Sequence, residues 1–334
     1  MNDGAASLSE QKNLEIQQSL DIKENRREMI GKILPYAGFA FIFLFFLIVT
    51  KGALINEANR ANLINQSFTL TLVSVGAAFV YAHGGMDFSI AATCGCGQLV
   101  AGLMLTTTNL PFWLCLTACV GVTVLGACMT ASMGLVLGVP VFVGSMCIRY
   151  VFSGILTTAT QRSTIFISHA KYGFMNNSNL KAIILVAFIL IGYYLFEYTA
   201  LGKNQRAIGG NMLTARHAGA KVKQSVLIAY IILGFCVGVA AIFQMFRNGS
   251  VSSSSGSGLE FNLLMAIVLG GFPLTGGEKS RLSSVVIGAL TVTILSNGLV
   301  LWGVDPNIMN GIKGVLFVVI IAVSYDRSMG KLVS

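Results

Sequence analysis

The sequence predicts an all-α polytopic membrane protein: a bundle of about ten transmembrane helices with one short helix on the cytoplasmic side. Three observations carry this. Hydrophobic residues make up 54% of the 334 residues and charged residues 10%, against roughly 25% charged in an ordinary soluble chain, and the mean hydropathy is +0.76. Apolar runs approaching or exceeding the roughly 17 to 25 residues that cross a bilayer as helix recur along the chain, which favours helices over the weaker alternation of a barrel. Between two of these runs lies a polar, basic interruption, Thr199 to Lys223, which carries five of the 22 Lys and Arg residues and belongs outside the bilayer.

Residues 1–33 hold five basic and six acidic side chains, with no apolar core and no small-residue cleavage site, and read as a cytoplasmic segment rather than a signal peptide. A transmembrane domain over 34–325 follows. Its helices are expected near Leu34 to Thr50, Gln66 to Tyr81, Ile90 to Thr107, Phe112 to Leu137 and Val141 to Thr160. Five more are expected near Lys181 to Thr199, Gln224 to Phe246, Phe261 to Phe272, Ser283 to Leu301 and Met309 to Ser324. The eighth is short, so nine is the competing count. Residues 326–334 form a tail.

Ten helices put both termini on one side. With the amino end inside, the inner segments hold fourteen basic residues and the outer segments six, leaving Arg149 and Lys313 within helices. That excess satisfies the positive-inside rule and places the loop 199–223 in the cytoplasm. The formal charge of +9 therefore reads as topology signals, and no nucleic-acid partner is expected. The seven cysteines fall in or beside apolar runs without the companions a zinc site needs, and read as small buried hydrophobes. No metal site is expected.

Few residues carry candidate chemistry. Asp87, in His83-Gly-Gly-Met-Asp-Phe-Ser89 between the second and third helices, either faces a partner, cavity or water at membrane depth or caps the third helix. A second glycine cluster, Leu269 to Arg281, is either a broken-helix element like the first or a tight turn. Arg149 and Lys313 either line an aqueous path, pair with a carboxylate or snorkel to a headgroup. Asn297 lies in an apolar run, and Ser89 belongs to the first glycine cluster. Asp87, Ser89, Arg149, Asn297 and Lys313 are thus the candidates for a translocation path. The serine run of residues 251–258 reads as a plain flexible connector on the outer side. No GxxxxGK[ST] nucleotide loop occurs and no catalytic constellation assembles, so the chain is not read as an enzyme and binds no cofactor of its own.

Within 199–223, Gly209-Gly210-Asn211 and Gly219 frame a short helix: Asn211 is a good N-cap, Met212 to His217 the body and Gly219 the stop. Two turns are too short to be stable alone and need a surface to pack on. Such a helix is expected to expose Met212, Leu213, Ala215 and Ala218, with Arg216 at its end. It either fits a groove in a partner or lies on the membrane.

At this point the sequence resembles the permease subunits of ATP-binding cassette (ABC) importers, specifically the ribose- and galactose-type monosaccharide family. GKNQRAIGGNMLTARHAGAKV is similar to that family's cytoplasmic coupling helix, HGGMDFSIA to its GG-[IM]-D-[LF]-S motif, and VPVFVGSM at Val139 to Met146 to the start of its fifth helix. AIVLGGFPLTGG, SNGL and IKG follow in family order, so the likeness covers Gln66 to Asp326. The resemblance implies that Gly209, Gly210, Asn211, Ala215, Arg216 and Gly219 couple to a cytoplasmic ABC ATPase, which consumes the ATP. It also implies an extracytoplasmic sugar-binding protein that delivers the cargo, a second permease chain completing the pathway, and a bacterial inner-membrane location with both termini cytoplasmic. Arg149, Phe88, Ala91 and the stretch Glu278 to Val286 depart from the pattern and bear on which cargo is carried. Kindred permeases carry nucleosides, autoinducer-type furanones or branched-chain amino acids. An ion-coupled secondary transporter is the rival of another class; it needs intramembrane carboxylates, and Asp87 is nearly alone. A structural or sensory membrane protein is the third.

Overall fold

The computed structural model describes residues 33–160, 164–168 and 172–324. The expected segments 1–33 and 326–334 lie, but for residue 33, outside that range. The helices are α1 (Ile33–Val49), α2 (Glu57–Ala82), α3 (Ile90–Thr107), α4 (Phe112–Leu135), α5 (Val141–Thr160) and α6 (Ser178–Tyr193). After these come α7 (Ala200–Gly210), α8 (Met212–His217), α9 (Val222–Asn248), α10 (Leu259–Leu269), α11 (Leu282–Leu301) and α12 (Pro306–Ser324). All ten expected apolar helices are present in order. Among the described residues seven helices are long and apolar enough to cross a membrane, and α1, α10 and the apolar part of α12 are shorter. The chain is an all-α polytopic membrane protein.

Two elements differ from expectation. Helix α2 begins at Glu57, not Gln66, because its polar first turns are held from the side: Asn59 is 7% exposed and donates to the Leu54 carbonyl (2.9 Å). Helix α7 replaces what reads as a basic loop. Its basic residues Lys203 and Arg206 hide an inward face of Gly202, Gln205 and Ile208, spaced three apart on one side of a helix.

The interior is built around α2 and α9, with α3, α4 and α11 packed on them. Small residues set the spacing, since in a membrane helices associate by close packing rather than by expelling water. Gly76 of α2 faces Leu233 and Cys236, while Gly234 and Gly238 of α9 face Val124 and Val120 of α4. Helix α5 is peripheral and leaves Phe142, Val143, Tyr150, Val151 and Ile155 exposed.

Two extended segments enter this bundle. Residues 85–89 are non-helical yet mostly buried, and lead into α3 beside Leu233 and Val237, near the middle of α9. The serine run is no surface connector. Strand β2 (Ser250–Val251) pairs antiparallel with β1 (Ile165–Phe166), and the chain then descends along α3. Val251 packs at Gly102, the Ser255 carbonyl would lie 2.5 Å from any Cβ at Gly95, and Gly256 sits against the Ala91 carbonyl. From Gly102 to Ala91 is about 16 Å of helix. Only a missing Cβ lets backbone approach backbone so closely, and both Gly95 and Gly256 supply that. Gly256 and Gly258, at φ +81 and +80, then turn the chain into α10, a half-length helix packed on α11. The second glycine cluster is instead a set of tight turns beside α7, with Gly277 donating its N–H to the Ala82 carbonyl (2.9 Å).

Candidate functional site

One site is the platform formed by α7 and α8. Helix α6 ends in a π turn, Tyr194–Tyr198, and Thr199 caps α7 by accepting from the Leu201 N–H (3.3 Å). Gln205, 1% exposed, bridges two membrane helices: its Nε2 donates to the Ser225 carbonyl of α9 (2.6 Å) and its Oε1 accepts from His83 Nδ1 at the end of α2 (2.9 Å). Arg206 pairs with Glu197 (2.8 Å) and lies over the Phe196 ring, 5.2 Å from its centroid. Glu197 accepts in turn from the Leu282 N–H that starts α11 (3.3 Å). Gly209 fits against the Ala82 carbonyl and the Gly277 N–H. Helix α7 is thereby tied to the same end of α2, α9 and α11. Burial lowers the His83 imidazole to about 4, against the upward pull of its bonds to the Phe79 carbonyl and Gln205, so it is neutral near pH 7.

Helix α8 is held out from this clamp. Asn211 caps it, its side chain accepting from the Thr214 N–H (3.0 Å), and Gly219 at φ +90 ends it. Its bounds coincide with those expected. Met212 (55%), Leu213 (68%), Arg216 and His217 are exposed. Ala215 is not: it is 5% exposed, turned back toward the clamp, contrary to expectation. Gly210 has open space around it, while Gly209 is filled by the chain's own backbone, so the two neighbouring glycines are not equivalent.

The second site is a polar cleft of about 480 Å³ where the serine run meets α3 and α5. Arg149, Ser153 and Thr157 of α5 form one wall, and Ser253, Ser254, Ser255 and Ser257 the other. Glu260, in the first turn of α10 and 3% exposed, pairs with Arg149 at 2.6 Å. One Glu260 oxygen, Oε2, has no protein partner. Ser255 accepts from the Ser252 N–H and Ser254 meets the Ser252 hydroxyl (both 3.0 Å). Non-helical backbone at membrane depth is tolerated where it is covered by protein or lines a wet cavity, not where it faces lipid.

The other path candidates lie elsewhere. Asp87, 2% exposed, accepts from the N–H (2.7 Å) and hydroxyl (2.6 Å) of Ser89, whose oxygen also meets Thr130 (3.0 Å). It closes the turn before α3 and borders a void of about 10 Å³, room for about one water. Asn297, 3% exposed, exchanges two hydrogen bonds with Asn59 (2.7 and 3.0 Å), clasping α11 to α2. Lys313 donates to Asn262 (3.2 Å), joining α12 to α10. Of the five, only Arg149 lines the cleft. Glu260, the cleft serines and Gln205 escaped sequence reasoning; a lone acid opening a short apolar run was the available signal for Glu260.

Known proteins resemble this chain along most of its length. It is 28% identical to a D-allose transport system permease of Escherichia coli, over 87% of this chain and 91% of that one. It is 29% identical to a ribose import permease of Bacillus subtilis, over 90% and 94%. A galactofuranose transporter permease of E. coli is 25% identical over 80% and 79%. No solved structure matches. The family described as the permease component of the branched-chain amino acid transport system matches residues 59–321, from the first turn of α2 to the end of the bundle, and the chain belongs to that family.

Proposed function

We propose that the chain is the permease subunit of an ABC importer in a bacterial inner membrane, carrying a monosaccharide delivered by an extracytoplasmic binding protein and driven by a separate ATPase. The observation that carries this reading is α8: a six-residue helix, capped at both ends, exposing Met212 and Leu213, mounted on a clamp that reaches three membrane helices at once. A helix this short has little stability of its own, and two exposed apolar side chains are suited to a groove in a partner. With the platform in the cytoplasm, as the charge census indicates, the partner is the ATPase. The exposed face of Gly210, Asn211, Arg216 and Gly219 meets it, while Gly209 and Ala215 seat the helix on the bundle.

The mechanism follows from the ties. When ATP closes the ATPases, a displacement of α8 passes through α7 by three routes. Gln205 takes it to α2 and α9, the Glu197–Arg206 pair to α11, and the Gly209 contact to the glycine turn. These ends move together, and the bundle changes the side on which it opens. A second permease chain, identical or related, covers the open polar cleft and the apolar face of α5. The family's description names amino acids, but the relatives named for ribose, allose and galactofuranose support a sugar as cargo.

The test is a disulfide cross-link from Leu213→Cys to a cysteine placed in the groove of the co-expressed ATPase. A cross-link that changes in yield with ATP supports the reading. A Leu213→Cys variant whose introduced thiol is freely labelled yet never contacts the ATPase overturns it.

A further inference from the structure

We propose that Arg149, Glu260 and the serine run form a cargo subsite inside the permease itself, selective for a neutral polyhydroxylated molecule. This rests on the reading of the chain as a transporter subunit and deepens it, because the selection of cargo is then not left to the delivering protein alone.

The ion pair is incomplete. Arg149 spends one guanidinium nitrogen on Glu260 and turns a third of its side chain to the cleft (33% exposed). Glu260 is 3% exposed, yet its Oε2 has no protein partner. A carboxylate oxygen buried without a donor is costly, and a pair serving only to hold α5 against α10 gains nothing by leaving it so. The accessible Arg149 N–H groups donate to an oxygen of the cargo, and a neighbouring hydroxyl of the same molecule satisfies Oε2 once the side chains that close that oxygen off from the cleft give way. Charges of opposite sign cancel, so the subsite holds no net charge with which to retain a sugar acid or a phosphorylated sugar.

The remaining wall fixes the class. Ser253, Ser254 and Ser257 are exposed to the cleft; each hydroxyl can donate and accept, and the Ser254 hydroxyl already meets that of Ser252 (3.0 Å). The apolar residues of the lining are Ala91, Ala92 and Leu156, and the polar groups stand between them, so the cleft offers apolar and hydrogen-bonding surface side by side, as the faces and hydroxyls of a sugar ring require. The cleft volume of about 480 Å³ lies within the range of small-molecule sites, about 300 to 1,000 Å³. A ring bearing several hydroxyls matches such a lining. The competing occupant is a zwitterionic amino acid, with its carboxylate on Arg149 and its ammonium on Glu260.

The experiment uses the whole transporter, permease with ATPase and binding protein, in proteoliposomes supplied with D-ribose, D-allose or L-leucine. The informative variant is the double substitution Arg149→Met with Glu260→Leu, since replacing both partners leaves no unpaired charge beside the buried Glu260 position. The subsite predicts that sugar uptake falls by about tenfold or more, while assembly and ATP hydrolysis stay within about twofold of the parent. Parental uptake in a well-assembled double variant overturns it. Should the double variant fail to assemble, Ser253→Ala with Ser257→Ala removes cleft hydroxyls without touching the pair or the Ser252–Ser254 contact; a drop in sugar uptake supports the subsite and unchanged uptake overturns it. Leucine uptake that depends on Arg149 overturns the cargo class. A parent transporter that moves neither these three compounds nor galactofuranose with ATP overturns the transport reading instead, a result distinct from failure of the subsite.

Discussion

Gly209 and Gly210 are neighbours at the end of α7, and the structure separates them sharply. A Cβ at Gly209 collides with the Ala82 carbonyl and comes within 2.6 Å of the Gly277 nitrogen, the two groups that hydrogen-bond to each other at 2.9 Å. Gly209→Ala therefore either opens that bond or pushes α7 away from α2. Overpacking costs about 1–3 kcal/mol and a lost backbone bond about 0.5–1.5 kcal/mol, so roughly 2–4 kcal/mol is expected. At Gly210 nothing lies within 4 Å, and alanine there changes stability by less than about 1 kcal/mol, in the favourable direction by helix propensity. Thermal unfolding of the purified transporter in detergent measures the first difference. The ratio of sugar moved to ATP hydrolysed measures the second: it falls for Gly209→Ala and holds for Gly210→Ala. Equal tolerance of both substitutions refutes the claim that α7 is clamped to α2 through Gly209.

Three further outcomes follow from the same ties. Asn211→Ala removes the N-cap of α8, costs about 0.5–2 kcal/mol locally, and should appear as faster amide exchange across 212–217 with less ATPase stimulation, while the membrane helices exchange as before. Glu197→Gln weakens the pair with Arg206 and the acceptor for the Leu282 N–H. The loss, about 1.5–3 kcal/mol, should lower the unfolding temperature and loosen coupling together. His83 sets a pH dependence. Its folded value of about 4 lies below the unfolded value of about 6.5, so between these pH values the unfolded chain binds the proton and the folded chain does not. Stability therefore falls as pH drops through that window and is insensitive to this group above it. His83→Gln should flatten that part of the stability–pH curve.

Much of the bundle is legible in the residues because membrane helices must be apolar along their whole length, and α8 is legible because Asn211 and Gly219 mark its ends chemically. What escapes the sequence is set by partners far away in the chain. Helix α7 shows Lys203 and Arg206 to a reader of composition, and only its contacts with Ala82 and Ser225 give Gly202, Gln205 and Ile208 an inside to face. Four serines between glycines have the composition of a linker, and become a membrane-depth wall only because Gly95 and Gly102 offer a groove along α3. Arg149 stands out as a charge in an apolar run, but its partner Glu260 lies beyond four further helices, α6 to α9. Asn297 also stands out, and its partner Asn59 shows it clasping two helices.

ATP-driven sugar import is measured directly by uptake of D-ribose, D-allose and galactofuranose into proteoliposomes holding the permease with its binding protein, with and without the ATPase. One of these sugars should accumulate only when ATPase and ATP are both present, and accumulation should be lost on Leu213→Glu, which places a charge on the exposed face of α8. Accumulation driven by an ion gradient in the absence of the ATPase contradicts coupling through α8, as does undiminished uptake by the Leu213→Glu variant.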